Sequence, residues 1–155
     1  MSRVALITGG QQGIGLGIAK ALAAEGFAIA IASLPEADST AAQSALQDLG
    51  PQARYFRHDL EDIGHASALM AQVEADMGPV TTFVSNAGVP ARVRGDMLDL
   101  SAESFDHVMG VNLRGAFFLA QEVARRMAGR ASPHYRSMTF VTSVSADLVS
   151  IERAE

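Results

Sequence analysis

The stretch Val4-Ala-Leu-Ile-Thr-Gly-Gly-Gln-Gln-Gly-Ile-Gly-Leu-Gly-Ile18 decides how the rest of the chain is organised. Its apolar run ends at Thr8, breaks into glycines and resumes with helical spacing, which predicts a strand, a tight turn and the start of a helix. The first N–H groups of a helix have no partner within it, and with the helix dipole they attract anions. Gly9, Gly13 and Gly15 carry no Cβ that would keep a phosphate from the backbone. A merely flexible glycine turn is the alternative that this stretch leaves open.

Composition narrows the class of protein. The chain has 155 residues, 48% hydrophobic and 19% charged, which suits one domain with a real core. A net charge of −5 without a basic stripe argues against nucleic acid as the main partner. There is no cysteine, and the four histidines show no metal-ligand spacing. No apolar run is long enough to span a membrane, and Met-Ser-Arg leads straight into the first strand, so we expect no membrane contact and a cytoplasmic location.

Apolar strand-like runs alternate with helical patterns, which predicts a parallel sheet with helices on both faces. We expect strands at about residues 3–8, 27–33, 53–58, 80–85 and 137–142. Helices are expected at about residues 13–25, 39–49, 62–77 and 101–127, with a long loop at 89–98. Right-handed crossovers then give a Rossmann-like, doubly wound sheet of five strands in the order 3-2-1-4-5, in a single domain 1–155.

The fourth helix carries a polar residue in its apolar stripe. The predicted inner stripe is Phe105, Val108, Met109, Asn112, Ala116, Leu119 and Val123. A buried amide needs hydrogen-bond partners, which a neighbouring backbone group or water can supply. Gly110 and Gly115 flank Asn112 and indicate close backbone packing there, because glycine is unfavourable inside a helix.

Small or polar residues follow every predicted strand. In open sheets of this kind, ligands bind beyond the carboxyl ends of the strands. Taken singly, each of these residues is also ordinary turn chemistry. Together they form one polar edge of the sheet, made of Thr8-Gly9, Ser33, Asp59-Leu60, Asn86-Ala87-Gly88 and Ser143.

The order and spacing of these residues resemble the short-chain dehydrogenase/reductase family over essentially the whole chain. The resemblance is carried by Thr8-Gly9-x-x-x-Gly13-x-Gly15, Asp59, Asn86-Ala-Gly, Asn112 and Ser143. Among family branches the chain looks most like the 3-oxoacyl thioester reductases. A flavodoxin-like phosphate-binding protein is a third possibility, which the glycine spacing and Asn86-Ala-Gly count against.

The resemblance implies an NAD(P)-dependent oxidoreductase that interconverts a carbonyl and an alcohol in a small-molecule substrate. It implies that the glycines hold the pyrophosphate, that Asp59 contacts the adenine, and that the Asn86 segment packs beside the cofactor. The implied cofactor-binding residues are Thr8, Gly9, Gln12, Gly13, Ile14, Gly15, Ser33, Asp59, Leu60, Asn86, Ala87 and Gly88. Asn112 and Ser143 correspond to members of a catalytic tetrad, and the family implies a homo-oligomer, tetramer or dimer.

The chain departs from the family pattern in two places. Ser85 stands where members usually have Asn before Asn-Ala-Gly. The tetrad's Tyr-x-x-x-Lys is absent, since neither Tyr55 nor Tyr135 has a Lys four positions later and Lys20 is the only lysine. By analogy the catalytic Tyr would lie just beyond Glu155, so we expect a C-terminally incomplete fold and an inactive 1–155 chain. A non-catalytic NAD(P)-binding module or an inactive truncated fragment is therefore the alternative.

The choice between NAD and NADP depends on the end of the second strand. NAD-preferring members usually carry an Asp there, whereas this chain has the uncharged Ser33. No Arg follows, because Leu34-Pro35 come next, and Gln11-Gln12 stand where many NADP-dependent relatives carry Arg. The absence of a charge that would repel a 2′-phosphate favours NADP slightly.

Overall fold

The computed structural model describes residues 3–93 and 95–144 of the chain. The strands are β1 (Arg3–Thr8), β2 (Phe27–Ser33), β3 (Ala53–Arg57), β4 (Val80–Ser85) and β5 (Ser137–Phe140). The helices are α1 (Gly13–Ala24), α2 (Thr40–Leu49), α3 (Ala66–Met77), α4 (Ala102–Met109) and α5 (Ala116–Ala128). A π-helical segment, Gly110–Gly115, joins α4 to α5, and short 3₁₀ turns lie at Ile63–His65 and Met97–Asp99.

The five strands form one parallel sheet in the order β3-β2-β1-β4-β5, which confirms the predicted fold class and topology. Helices cover both faces of the sheet. Because successive side chains of a strand point to opposite faces, alternate residues of β1 enter two different cores. Val4 and Leu6 of β1 pack in the core with α3 and α5. Ala5 and Ile7 pack in the second core with α1 and α2. The carboxyl ends of β1, β2, β3 and β4 are therefore held between helices on both faces of the sheet.

The predicted fourth helix is interrupted by the π-helical segment, and this changes which side chains are buried. A π-helical turn contains an extra residue, so an apolar stripe does not keep its α-helical phase across it. After the segment the predicted Ala116, Leu119 and Val123 are buried. Before it the predicted Val108 is buried together with Ser104, which was not predicted. The prediction was wrong for Phe105, which is 45% exposed, and for Asn112, which lies on the exposed side.

The close backbone packing predicted from the helix glycines is confirmed at Gly115. A Cβ added there would lie 2.1 Å from the carbonyl oxygen of Leu60, a backbone atom that cannot move aside. At Gly110 the nearest atom is Oε1 of the Glu61 side chain, at 2.9 Å, which is free to move. The segment after β3 thus packs directly on the π-helical turn.

An outer apolar face, made of Phe105, Leu113 and Phe117, runs along α4, the π-helical segment and α5. These side chains are 45%, 57% and 58% exposed. At one edge of the sheet, β5 pairs only with β4 among the described strands, and its Phe140 is 51% exposed. Both features are apolar surfaces that the described residues do not cover.

A partly buried ionic network joins α3 to α5. Arg126 donates through Nε to Glu122 Oε1 at 2.7 Å and through Nη1 to Glu74 Oε2 at 2.9 Å. It also donates through Nη2 to the carbonyl oxygen of Ser67 at 3.0 Å. The bond from Arg126 holds the pKa of the Glu122 carboxyl below its usual value, and the same pairing raises the pKa of Arg126. The carboxylates of Glu74 and Glu122 are only 9% and 12% exposed.

We predict that Arg126→Met lowers the free energy of unfolding by about 1–3 kcal/mol, because it leaves two largely buried carboxylates with weaker partners. Methionine keeps most of the aliphatic contact, so the loss reports the guanidinium. The matched control is Arg125→Met, since Arg125 pairs with the same Glu122 at 2.8 Å but is 67% exposed. Urea unfolding should show a loss of no more than about 1 kcal/mol for the control. Equal losses in the two variants would contradict the role of burial.

Candidate functional site

A cavity of about 410 Å³ opens at the carboxyl edge of the sheet, between the glycine turn and the segments that follow β3 and β4. Predicted site residues that line it are Gly9, Gln12, Gly13, Ile14, Ser33, Asp59, Leu60, Asn86, Ala87 and Gly88. Residues that line it without having been predicted are Gln11, Ala32, Leu34, His58, Glu61, Val89, His107 and Val111. The strand ends that are separate in sequence therefore meet at one concave surface.

The glycine turn leaves the start of α1 open towards the cavity. Gly9 and Gly13 have φ values of 66° and 54°, a left-handed conformation that other residues rarely adopt. The helix begins at Gly13, and the preceding Gln12 makes no side-chain hydrogen bond to its first turn. The first N–H groups of α1 thus meet the cavity without a side-chain cap, and such groups attract anions.

The ends of β1 and β4 are tied together beneath this turn. The Thr8 hydroxyl accepts hydrogen bonds from the backbone N–H of Asn86 at 2.9 Å and of Ala87 at 3.0 Å. In return, Asn86 Nδ2 donates to the Thr8 carbonyl oxygen at 3.0 Å. Gly15 closes the arrangement, since a Cβ there would lie 2.3 Å from the Gly9 carbonyl oxygen and 2.5 Å from Asn86 Nδ2. Thr8 and Gly15 therefore do not line the cavity, but they hold in place the segments that do.

Acidic groups lie at the end of the cavity beside β3. Asp59 Oδ1 accepts the backbone N–H of Glu61 at 2.9 Å, which fixes the turn after the strand. Glu61 Oε2 lies 3.4 Å from Nδ1 of His107, which reaches the cavity from α4. Of the described lining residues, none is Arg or Lys. The acceptors thus collect at one end of the cavity and the helix N–H donors at the other.

Three lining residues that were not predicted, Gln11, His58 and His107, carry buried polar atoms. The buried Nδ1 of His107 is the atom that lies 3.4 Å from Glu61 Oε2. Gln11 Oε1 and His58 Nδ1 have no hydrogen-bond partner among the described residues. Burial lowers the pKa of His58, and the neighbouring His65 lowers it further, against the opposing effect of Asp59 and Asp62. Gln11 directly precedes Gln12, and His58 directly precedes Asp59. This adjacency to predicted site residues was the sequence signal that could have identified them.

Asn112 and Ser143, the residues predicted to be catalytic, do not line this cavity. Asn112 Oδ1 accepts the Val89 N–H and its Nδ2 donates to the Val89 carbonyl oxygen, both at 2.8 Å. Its Oδ1 also lies 3.3 Å from where a Cβ on Gly88 would be, so it borders the cavity wall. Ser143 lies beyond the end of β5 at an exposed position. The hydrogen-bond partners that the Asn112 amide was predicted to need are the backbone N–H and carbonyl groups of Val89.

The two tyrosines stand away from the cavity. Tyr55, on β3, donates from its hydroxyl to the Pro35 carbonyl oxygen at 2.7 Å. Burial raises the pKa of Tyr55, which makes it a weaker acid than an ordinary phenol. Tyr135 is 89% exposed on the loop before β5. Neither lines the cavity.

Within 3–93 and 95–144, no group of three or more acidic or histidine side chains is arranged to hold a metal ion. In the same part of the chain, no helix combines the length and the hydropathy needed to cross a bilayer.

Comparison with known proteins relates this arrangement to one enzyme family. The family model described as short chain dehydrogenase matches residues 3–153. A galactitol 2-dehydrogenase of Agrobacterium fabrum is 35% identical over 132 residues, which are 84% of this chain and 49% of the relative. An L-2,3-butanediol dehydrogenase of Corynebacterium glutamicum is 33% identical over 128 residues, 81% of this chain and 49% of the relative. The chain thus spans about half the length of the curated relatives it matches.

Solved structures agree with the sequence relatives. A 3-oxoacyl-(acyl-carrier protein) reductase from Brucella melitensis in complex with NAD has a TM-score of 0.90 and 40% identity, covering 99% of this chain and 60% of that one. An actinorhodin polyketide ketoreductase with NADPH has a TM-score of 0.87 and 29% identity, covering 99% of this chain and 57% of that one. The predicted resemblance to the 3-oxoacyl reductase branch is confirmed by these neighbours.

We predict that Gly15→Ala lowers the free energy of unfolding by about 1–3 kcal/mol, because its Cβ would overlap a backbone carbonyl. The matched control is Gly17→Ala on the same helix, where nothing lies within 4 Å of the added Cβ. That control should be stabilised by up to about 1 kcal/mol, since alanine favours helix. Urea unfolding measures both, and a destabilised Gly17→Ala would contradict the steric explanation.

We predict that His58 makes the protein less stable as the pH falls below about 6.5, the usual histidine pKa. The folded pKa is lowered, so between the two pKa values the unfolded chain binds the proton and the folded chain does not. The stabilisation is present above the unfolded pKa and is lost as the pH falls through that window. His58→Asn should flatten the dependence of Tm on pH between about 7 and 5.5, and an unchanged slope would contradict the prediction.

Proposed function

We propose, because this chain belongs to the short-chain dehydrogenase family, that it binds NAD(P)(H) and serves an oxidoreductase that interconverts a carbonyl and an alcohol. The observation that carries the proposal is the cavity in which the glycine turn, Asp59 and Asn86 meet. Two similar structures were solved with NAD and with NADPH. Since the chain spans about half the length of its curated relatives, the activity of the whole protein is part of the proposal.

The residues present fit such a cofactor. A pyrophosphate needs backbone donors and close approach, and the turn at Gly9 and Gly13 with the open start of α1 offers both. An adenine amine needs an acceptor, and Asp59 lines the far end of the cavity. Gln11 Oε1 and His58 Nδ1 are buried polar atoms in the cavity wall that a polar ligand would satisfy.

We assign the cofactor-binding roles accordingly. Gly9, Gln12, Gly13 and Ile14 would hold the pyrophosphate, with Thr8 and Gly15 shaping the turn behind them. Asp59 and Leu60 would border the adenine, and Ser33 the adenosine ribose. Asn86, Ala87 and Gly88 would flank the cofactor beyond β4. When bound, the nicotinamide ring supplies or accepts the hydride.

Asn112 and Ser143 would serve the reaction in different ways. Asn112 is a positioning residue, because its two bonds to Val89 hold the segment that follows Gly88. Ser143 would donate a hydrogen bond to the substrate oxygen as charge develops on it. The proton for that oxygen needs an acid tuned near neutrality, which Tyr55 with its raised pKa does not provide. We propose a Tyr-x-x-x-Lys in the sequence that follows Glu155, and a 3-oxoacyl thioester as the substrate class.

A non-catalytic NAD(P)-binding module is the second candidate, because Tyr-x-x-x-Lys is absent from these 155 residues. The coding sequence after Glu155 separates the two candidates. An in-frame Tyr with Lys four residues later supports the enzyme, whereas a stop codon supports the module.

The lean towards NADP is supported by the uncharged side chain of Ser33, which is 8% exposed at the cavity wall. A homo-oligomer, tetramer or dimer, is supported by the outer apolar face of Phe105, Leu113 and Phe117. The cytoplasmic location and the single-domain organisation stay predictions.

We predict that Ser143→Ala in the full-length protein lowers kcat for reduction of a 3-oxoacyl thioester by about 10²–10³-fold, as loss of a donor to a developing oxyanion does. Affinity for NADPH, measured by its nicotinamide fluorescence, should not change. Ser44→Ala on the exposed side of α2 is the control and should alter neither quantity. An unaltered protein that binds NADPH but transfers no hydride would favour the module, and one that binds neither cofactor would contradict both candidates.

A further inference from the structure

We propose that Arg57 is the residue that binds the 2′-phosphate of NADP(H), and that Glu36 holds its guanidinium until the phosphate displaces that carboxylate. The inference rests on the proposed function and names the specificity-determining residue of the same site. The 2′-phosphate of NADP(H) is an anion that a cationic side chain would bind, but the described residues that line the cavity include no Arg or Lys.

Arg57 is the cation that the sheet places beside the end of β2. In the β2–β3 ladder, Arg57 is the Cα partner of Ser33, the lining residue at the proposed ribose end of the cavity. Neighbouring parallel strands lie about 4.8 Å apart and paired side chains share a face of the sheet. An arginine side chain at this position therefore starts next to Ser33 and is long enough to reach past it.

The present partner of Arg57 is a weak one. Its Nε lies 2.7 Å from Glu36 Oε1, and the two side chains are 53% and 68% exposed. Exposed ion pairs contribute little to stability, so releasing Glu36 into water costs little. A phosphate monoester carries more charge than a carboxylate and offers oxygens that match the planar guanidinium in a bidentate contact. The exchange of Glu36 for a 2′-phosphate is therefore favourable in charge and in geometry.

The surrounding residues keep this pair at the end of β2. The Tyr55 hydroxyl donates to the Pro35 carbonyl oxygen at 2.7 Å, which fixes the chain immediately before Glu36. Burial, and to a smaller extent the charge of Glu36, raise the pKa of Tyr55, so this hydroxyl stays a neutral donor. Glu36 and Arg57 thus face each other across a fixed turn rather than on a free loop.

The test compares ligands that differ in the 2′-phosphate alone. Displacement of NADH fluorescence by 2′,5′-ADP and by 5′-AMP is measured on the full-length protein that carries this chain. Arg57→Gln should weaken 2′,5′-ADP about tenfold or more, as loss of a charge-assisted bond does, and leave 5′-AMP unchanged. Glu36→Gln should strengthen 2′,5′-ADP and leave 5′-AMP unchanged, because it removes the competing carboxylate.

The matched controls are Lys20→Gln and Asp48→Asn. Lys20 and Asp48 form a similarly exposed ion pair, at 2.8 Å, between α1 and α2. They repeat each change of net charge away from the end of β2, so an effect shared with the controls would be a general one and would overturn the inference. An unchanged ratio of the two affinities in both Arg57→Gln and Glu36→Gln would overturn it as well.

The outcomes separate the inference from the proposed function. If the unaltered protein binds NADH and 5′-AMP but the variants leave the ratio unchanged, the proposed function stands and Arg57 has no such role. If it binds neither nucleotide, both fall. Glu36→Gln keeps the arginine in place, so the inference is decided even where Arg57→Gln impairs folding, which Tm reports.

Discussion

The tie between the ends of β1 and β4 is the constraint on which the carboxyl edge of the sheet depends. The Thr8 hydroxyl accepts two backbone N–H groups from the segment after β4, and Asn86 returns a bond to the Thr8 carbonyl. Both strands are central, so their last polar groups would otherwise face the cavity unpaired, at a cost. Gly15 lets α1 press onto this tie, because any side chain there would meet the Gly9 carbonyl.

A second close approach, on the opposite side of the cavity, sets the position of the β3 segment. The Leu60 carbonyl lies where a side chain on Gly115 would be, so the turn after β3 rests on the π-helical segment. Within that segment Val111 and Gly115 are buried, whereas Asn112 is exposed. Its amide then holds both backbone groups of Val89. The π-helical segment therefore contacts both the segment after β4 and the turn after β3.

Particular residues show how far the sequence determines the fold and the site. The strand order and the glycine turn follow from patterns with strong physical causes, buried apolar runs and the φ values of Gly9 and Gly13. The exposure of Phe105 could not be predicted, because apolar periodicity assumes one helical repeat throughout. Residues such as His107 were missed because tertiary packing, not sequence spacing, brings α4 to the cavity.

Under the proposed function, the distribution of charge in the cavity determines which end of a bound dinucleotide lies towards β3. Asp59 and Glu61 lie at one end, and none of the described lining residues supplies a formal positive charge against them. An anionic pyrophosphate is therefore disfavoured near β3 and favoured at the N-terminus of α1, where N–H groups and the helix dipole provide the positive potential. An adenine amine, as a hydrogen-bond donor, is favoured among the acceptors. The two preferences can be met together only when the adenine lies towards β3, which leaves the other half of the ligand to extend past Asn86 towards β5.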